Sequence, residues 1–139
     1  MFRIIKIKNK SMEPNFYNDD IVLAKNWNKK KPLVRQQVVI AELSGKYIIK
    51  RIIGVPNDEI NISAGSIFIN KSHLSEPYLE GLPKTSGTDD LEHIVPKDHV
   101  FLISDYRNYF HSIDSRTLGS IHVSNIIAIP ILKLWVGNK

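Results

Sequence analysis

Apolar positions along the chain fall in short runs rich in Ile and Val, with turn residues between them. Residues 1–10 alternate apolar and basic positions, Ile5 and Ile7 against Lys6 and Lys8, which predicts a strand with one apolar and one polar face. Further strands are predicted over 21–24, 38–41 and 47–53, and Ser44-Gly45 reads as a hairpin turn between the last two. Residues 60–62 and 67–69 flank Ala64-Gly65 as a second hairpin. Two more strands fall at 100–103 and 126–134. Long helical periodicity is absent; the candidate helix is a short one around 12–17, with Pro14 in its first turn. Such spacing indicates an all-β, mostly antiparallel barrel or sandwich with little helix. Residues 80–92 read as a long polar loop.

Composition adds bounds. The 139 residues suit a single domain, 1–139, in which about 56–95 form a hairpin and loop extension. The chain lacks cysteine, which removes disulfides, thiol nucleophiles and thiolate metal sites. No stretch reaches the ~18 apolar residues of a membrane helix. The most apolar segment, 126–136, is interrupted by Pro130 and Lys133 and reads as a terminal strand or a short surface anchor. The net charge of +5 fits a surface that meets acidic lipid, and equally a lysine-rich surface with no partner. Peripheral contact with a membrane is therefore left open, with Trp135 as a candidate interfacial residue. A nucleic-acid partner is not expected, because the basic residues are scattered and no basic–aromatic platform appears.

The chemistry is carried by residues in separate segments. Ser11-Met12-Glu13-Pro14 sets a serine directly after a strand and before a rigid proline, a suitable place for a fixed nucleophile, though most such strings are turns or caps. Lys50 lies inside the apolar run 47–53. Burial of its ammonium would cost several kcal/mol and push its pKa down, which makes a neutral amine, a competent base. The alternative is that Lys50 faces solvent on an edge strand, and period-2 alternation does not decide between the two. A serine hydroxyl needs a base to take its proton, and an unprotonated lysine serves in Ser–Lys variants. The five histidines show no triad or metal spacing and read as surface residues. In 112–119, Ser112 could hydrogen-bond the lysine amine, and Asp114 and Arg116 could form an ion pair that stiffens the loop.

These segments resemble the signal peptidase I family in order and spacing. Ser11-Met12-Glu13-Pro14 looks like its nucleophile box, and residues 47–60, YIIKRIIGVPNDEI, resemble its base-bearing segment. Residues 67–78, IFINKSHLSEPY, are similar to the hairpin that follows, and 104–107 with 112–116 resemble the last box. The resemblance implies a β-rich Ser–Lys endopeptidase without cofactor or metal. Its substrate would be a precursor protein or signal peptide, cut after small residues as in Ala-x-Ala. It implies Ser11 as nucleophile, Lys50 as general base, Ser112 as the residue that orients the lysine, and an oxyanion near the Ser11 N–H.

The chain departs from the family pattern in several places. Ten residues precede Ser11 where a membrane helix is usual, and Met1 leading into a strand favours a natural start. Asn9 stands where a serine or glycine is common, and its amide is a candidate oxyanion donor. Tyr106 replaces an asparagine, and 108–111 lengthen the connection to Ser112. These changes leave rival readings open. One is a soluble maturation protease for a single precursor, of the nickel superoxide dismutase or pilin type. Others are a self-cleaving repressor-type domain, which Ser112 to Arg116 argues against, and an inactive peptide-binding relative.

Overall fold

The computed structural model describes residues 1–85, 90–109 and 111–137. The strands run β1 (Phe2–Lys6), β2 (Ile21–Asn26), β3 (Val38–Leu43), β4 (Lys46–Gly54), β5 (Glu59–Ser63) and β6 (Ser66–Ile69). They continue as β7 (Ser72–His73), β8 (Leu91–Ile94), β9 (His99–Ile103), β10 (Ile121–His122) and β11 (Ile126–Trp135). The one α-helical turn among the described residues is α1 (Ser115–Leu118), so the fold is all-β, and its strand pairs are antiparallel.

Seven strands form one sheet in the order β1-β2-β11-β3-β4-β9-β10, and four form a second in the order β7-β6-β5-β8. Two-residue turns build the hairpins. Ser44-Gly45, Ala64-Gly65 and Asn70-Lys71 all take positive φ at both central residues, the backbone that matches the right-handed twist of the flanking strands. The second sheet packs on the first through Ile60, Ile62, Ile67 and Ile69 against Ile53, Phe101 and Ile103. Gly54 permits the close approach, since a side chain there would meet Ile60. The main sheet has two further clusters, with Val39 and Ala41 in one and Ile40 and Ile49 in the other. Neighbouring strand residues thus pack into different cores, and the centre of the sheet is covered on both faces.

The C-terminal apolar run is the long strand β11, which pairs with β2 and β3. Pro130 lies beyond the pairing to β3, which ends at Ala128, and the register to β2 shifts just after it, the kind of place where a strand tolerates proline. No helix of the described residues is long and apolar enough to cross a membrane.

Two readings of the sequence need correction. Residues 12–17 form turns rather than a helix. The N–H groups of Asn15 and Phe16 both reach the Met12 carbonyl, Pro14 has no N–H to extend the pattern, and a single turn does not propagate. The Glu13–Pro14 peptide is cis. The polar stretch 80–92 ends in strand β8, because Leu91 and Glu92 pair with Ile62 and Asn61 of β5; residues 86–89 of that stretch lie outside the described residues.

Candidate active site

Lys50 sits where β4 becomes covered on both faces. Exposure along the strand falls from Lys46 and Tyr47 to full burial from Ile49 onward, and Lys50 is 4% exposed. The solvent-facing alternative for this lysine is thereby removed. Ser11 is equally buried, on the segment that leaves β1. Lys50 Nζ lies 2.9 Å from Ser11 Oγ. Burial lowers the Lys50 pKa to about 8 from an ordinary 10.5. The charges of Asp114 and Asp105 oppose that shift and the charge of Arg116 adds to it. Near neutral pH the pair therefore combines a hydroxyl with an amine that sheds its proton readily.

The loop after β9 fixes the serine. Tyr106 N–H donates to the Ser11 carbonyl (2.8 Å), and Asp105 N–H donates to Met12 Sδ (3.3 Å). Met12 is buried in the core, so the residue after the serine anchors the turn from below. Asp105 itself is held by two hydrogen bonds from Arg51, at 2.9 and 2.7 Å, and by one from Asn15. The Arg51 guanidinium also lies 3.7 Å over the Tyr78 ring, which brings the second-sheet segment against the loop. Glu76 pairs with Arg107 and accepts from the Tyr78 hydroxyl, whose pKa is pushed up by burial and by that carboxylate. Sequence reading named the stretches that hold these residues but not the long-range pairings, in which Arg107–Glu76, Arg51–Asp105 and Asn15–Asp105 lie 31, 54 and 90 positions apart. Arg51 inside an otherwise apolar run was the available signal.

Asp114 and Arg116 form the expected ion pair, with Nη2 to Oδ2 at 2.8 Å. Asp114 also accepts from the N–H groups of Ser104 and Arg116, capping α1. Burial pushes its carboxyl up, but Arg116 and these N–H donors outweigh that, and the pKa is lowered.

Two expected contacts take a different form. Ser112 lines the same cleft as Ser11 and Lys50, yet its buried Oγ has no hydrogen-bond partner among the described residues; the lysine amine turns to Ser11 instead. Asn9 was expected to donate. Its Oδ1 accepts from the Ser11 N–H at 2.9 Å. A backbone N–H only donates, so the side-chain atom facing it is the amide oxygen. The histidines are also less uniform than expected: His93 is half-buried, packs on Phe101 and contacts Ser120, and burial lowers its pKa. The longer loop carries a stack of Tyr106 on Tyr109 with His111 edge-on, and Phe110 lies outside the described residues.

A cleft of about 750 Å³ opens at the pair, walled by Ile5, Ile7, Ile40, Ile48 and Ile49. Among the described residues β1 pairs with β2 alone, and β4 meets β9 only from Arg51 onward. The cleft is thus flanked by β1 and by the unpaired side of residues 46–50, with Arg3 Nη1 donating to the Tyr47 hydroxyl across it.

The family model for signal peptidase, peptidase S26, matches residues 1–135. The chain belongs to the signal peptidase (S26) family. It is a serine peptidase by that membership. Among characterised relatives, signal peptidase I V of Bacillus subtilis (strain 168) is 29% identical over 137 residues, which cover 89% of this chain and 80% of that protein. Signal peptidase I of Bacillus amyloliquefaciens is 30% identical over 124 residues, covering 84% and 66% respectively. The crystal structure of a signal peptidase I from Enterococcus faecalis V583 superposes with a TM-score of 0.61 at 24% identity, over 71% of this chain and 97% of that one. That likeness shows the shared fold.

Proposed function

We propose that the chain cleaves signal peptides or precursor leaders after small residues, with Ser11 as nucleophile and Lys50 as general base. The observation that carries this reading is the 2.9 Å contact between two buried side chains, one of them a lysine with a depressed pKa. Family membership supports the substrate class.

In the proposed reaction Ser11 Oγ attacks the scissile carbonyl carbon while its proton passes to Lys50 Nζ. Collapse of the tetrahedral species breaks the C–N bond, and the lysine returns the proton to the departing amine. The acyl-enzyme ester is then attacked by water, whose proton the again-neutral lysine accepts; collapse breaks the C–Oγ bond, and Lys50 returns the proton to Ser11 Oγ as the acid product leaves. Burial of both groups supports this chemistry, since an unpaired amine in low dielectric is held close to its neutral form.

The cleft supports an extended peptide. A strand laid along the β1 edge would gain main-chain hydrogen bonds. Its alternate side chains would face one wall, which accounts for a preference at the first and third positions before the cut. The aromatic stack of Tyr106, Tyr109 and His111, with His111 on the cleft wall, favours a narrower second reading, a maturase for one precursor.

Mass-spectrometric mapping of cuts in a diverse peptide library, with Ser11→Ala alongside, tests both. Cuts after Ala-x-Ala that vanish in the variant are the expected result. Serine-dependent cuts at one narrow motif would favour the maturase, and cuts that persist in Ser11→Ala would sink the assignment.

A further inference from the structure

An oxyanion forming at an attacked carbonyl needs hydrogen-bond donors aimed at it, and the N–H of the attacking serine is the donor built into the nucleophile itself. Here that N–H is taken. Asn9 Oδ1 accepts it at 2.9 Å, and Asn9 lines the same cleft as Ser11 and Lys50. The amide oxygen is an acceptor, and it occupies the N–H that the oxyanion would use.

We infer that Asn9 is a latch: its side chain sequesters the Ser11 N–H in the resting protein and must swing away for that N–H to serve the reaction. The inference rests on the assignment of Ser11 as nucleophile. The backbone around the latch is pinned, so the movement falls to the side chain. Asn9 N–H donates to Asn18 Oδ1 (2.8 Å), and Ile7 exchanges hydrogen bonds with Asp19 and Asp20. The amide must leave rather than turn over in place. Turned over, it would set its NH2 against the Ser11 N–H, donor against donor. Asn9 thus acts through Ser11, as a positioning residue that opposes the reaction until displaced.

Two substitutions separate this role from the donor role. Asn9 has φ of +65°, a backbone that glycine adopts freely, so Asn9→Gly removes the latch without disturbing the turn. Asn9→Asp keeps the acceptor and gives it a charge, which strengthens the bond. Kinetics are read on a peptide that the wild type cuts, at a pH where Lys50 is neutral. Asn9→Gly should raise kcat about fivefold at unchanged KM, the factor for releasing one neutral hydrogen bond. Asn9→Asp should lower kcat by about the same factor. A fall or no change in kcat for Asn9→Gly overturns the latch; a fall in both variants would make Asn9 a donor.

Amide hydrogen exchange followed by NMR tests the latch without any turnover, and so separates its failure from failure of the peptidase assignment. In Asn9→Gly the Ser11 amide should exchange faster. The residue-9 amide held by Asn18 and the Tyr106 amide held by the Ser11 carbonyl should stay as slow as in the wild type. Unchanged Ser11 exchange, or acceleration at all three amides, overturns the proposal.

Discussion

The two halves of β4 on either side of the Lys50–Arg51 bond handle a buried cation in opposite ways. On one side Lys50 points to Ser11 and forms no salt bridge among the described residues. On the other, Arg51 makes a two-pronged ion pair with a fully buried Asp105 and stacks on Tyr78. A guanidinium keeps its proton at any working pH, so burying one requires a counter-charge. An amine has another way out, which is to become neutral. The two carboxylates whose charges reach Lys50 are already committed, Asp105 to Arg51 and Asp114 to Arg116. The arginines therefore do more than stiffen the loop. They occupy the partners that would otherwise keep the lysine charged.

The sharpest way to break this contrast is to remove the lysine. Lys50→Met keeps the volume and loses the amine. Cleavage of any peptide that the wild type cuts should fall about 10³-fold or more, to the level of Ser11→Ala. In the wild type the rate should climb roughly tenfold per pH unit towards about 8 and then level, because only the neutral amine accepts a proton. Initial rates between pH 5 and 10 decide this, and a flat profile below 8 would point to a different base.

On the arginine side the expected loss is in stability. Arg51→Met leaves Asp105 charged and buried, and should lower unfolding stability by about 3–5 kcal/mol. The double variant with Asp105→Leu replaces the whole pair by apolar groups and should recover more than half of that loss. Urea midpoints of the single and double variants read the difference directly. A double variant no better than the single one would mean that the Asn15 contact depends on the Asp105 carboxylate itself.

The two sides of β4 also differ in how far the chain alone disclosed them. Strand positions were legible because period-2 runs and Gly-containing turns are local signals. The Asp114–Arg116 pair was legible for the same reason, lying two positions apart. The burial of Lys50 was not. Alternation tells which residues share a face, whereas coverage of both faces comes from remote segments packing there, the second sheet and the turn after β1. The Asn9 amide shows a further limit. Its position near the serine was plain, but that its side chain folds back onto the Ser11 N–H depends on the turn that Asn18 holds, from nine positions away. The pairings of Arg51 with Asp105 and of Arg107 with Glu76 join partners 54 and 31 positions apart, and no local pattern encodes them.

The smallest expected effect concerns stability and pH, and it isolates the lysine from its catalytic role. Folding lowers the Lys50 pKa from 10.5 to about 8. Below about 8 the amine is charged in both states, and the folded protein bears the whole penalty of burying that charge. Between about 8 and 10.5 the unfolded chain holds a proton that the folded one has shed, so stability rises with pH across that window. The full rise is of the order of 3 kcal/mol, since each tenfold change in proton affinity is worth about 1.4 kcal/mol. Lys50→Met should remove this slope and be more stable than the wild type at neutral pH, by an amount approaching the same figure. Denaturant titrations of both proteins at pH 7, 9 and 10.5 would show the two curves converging as pH rises. Parallel curves would mean that Lys50 reaches water in solution, and the contrast with Arg51 would then rest on pairing alone.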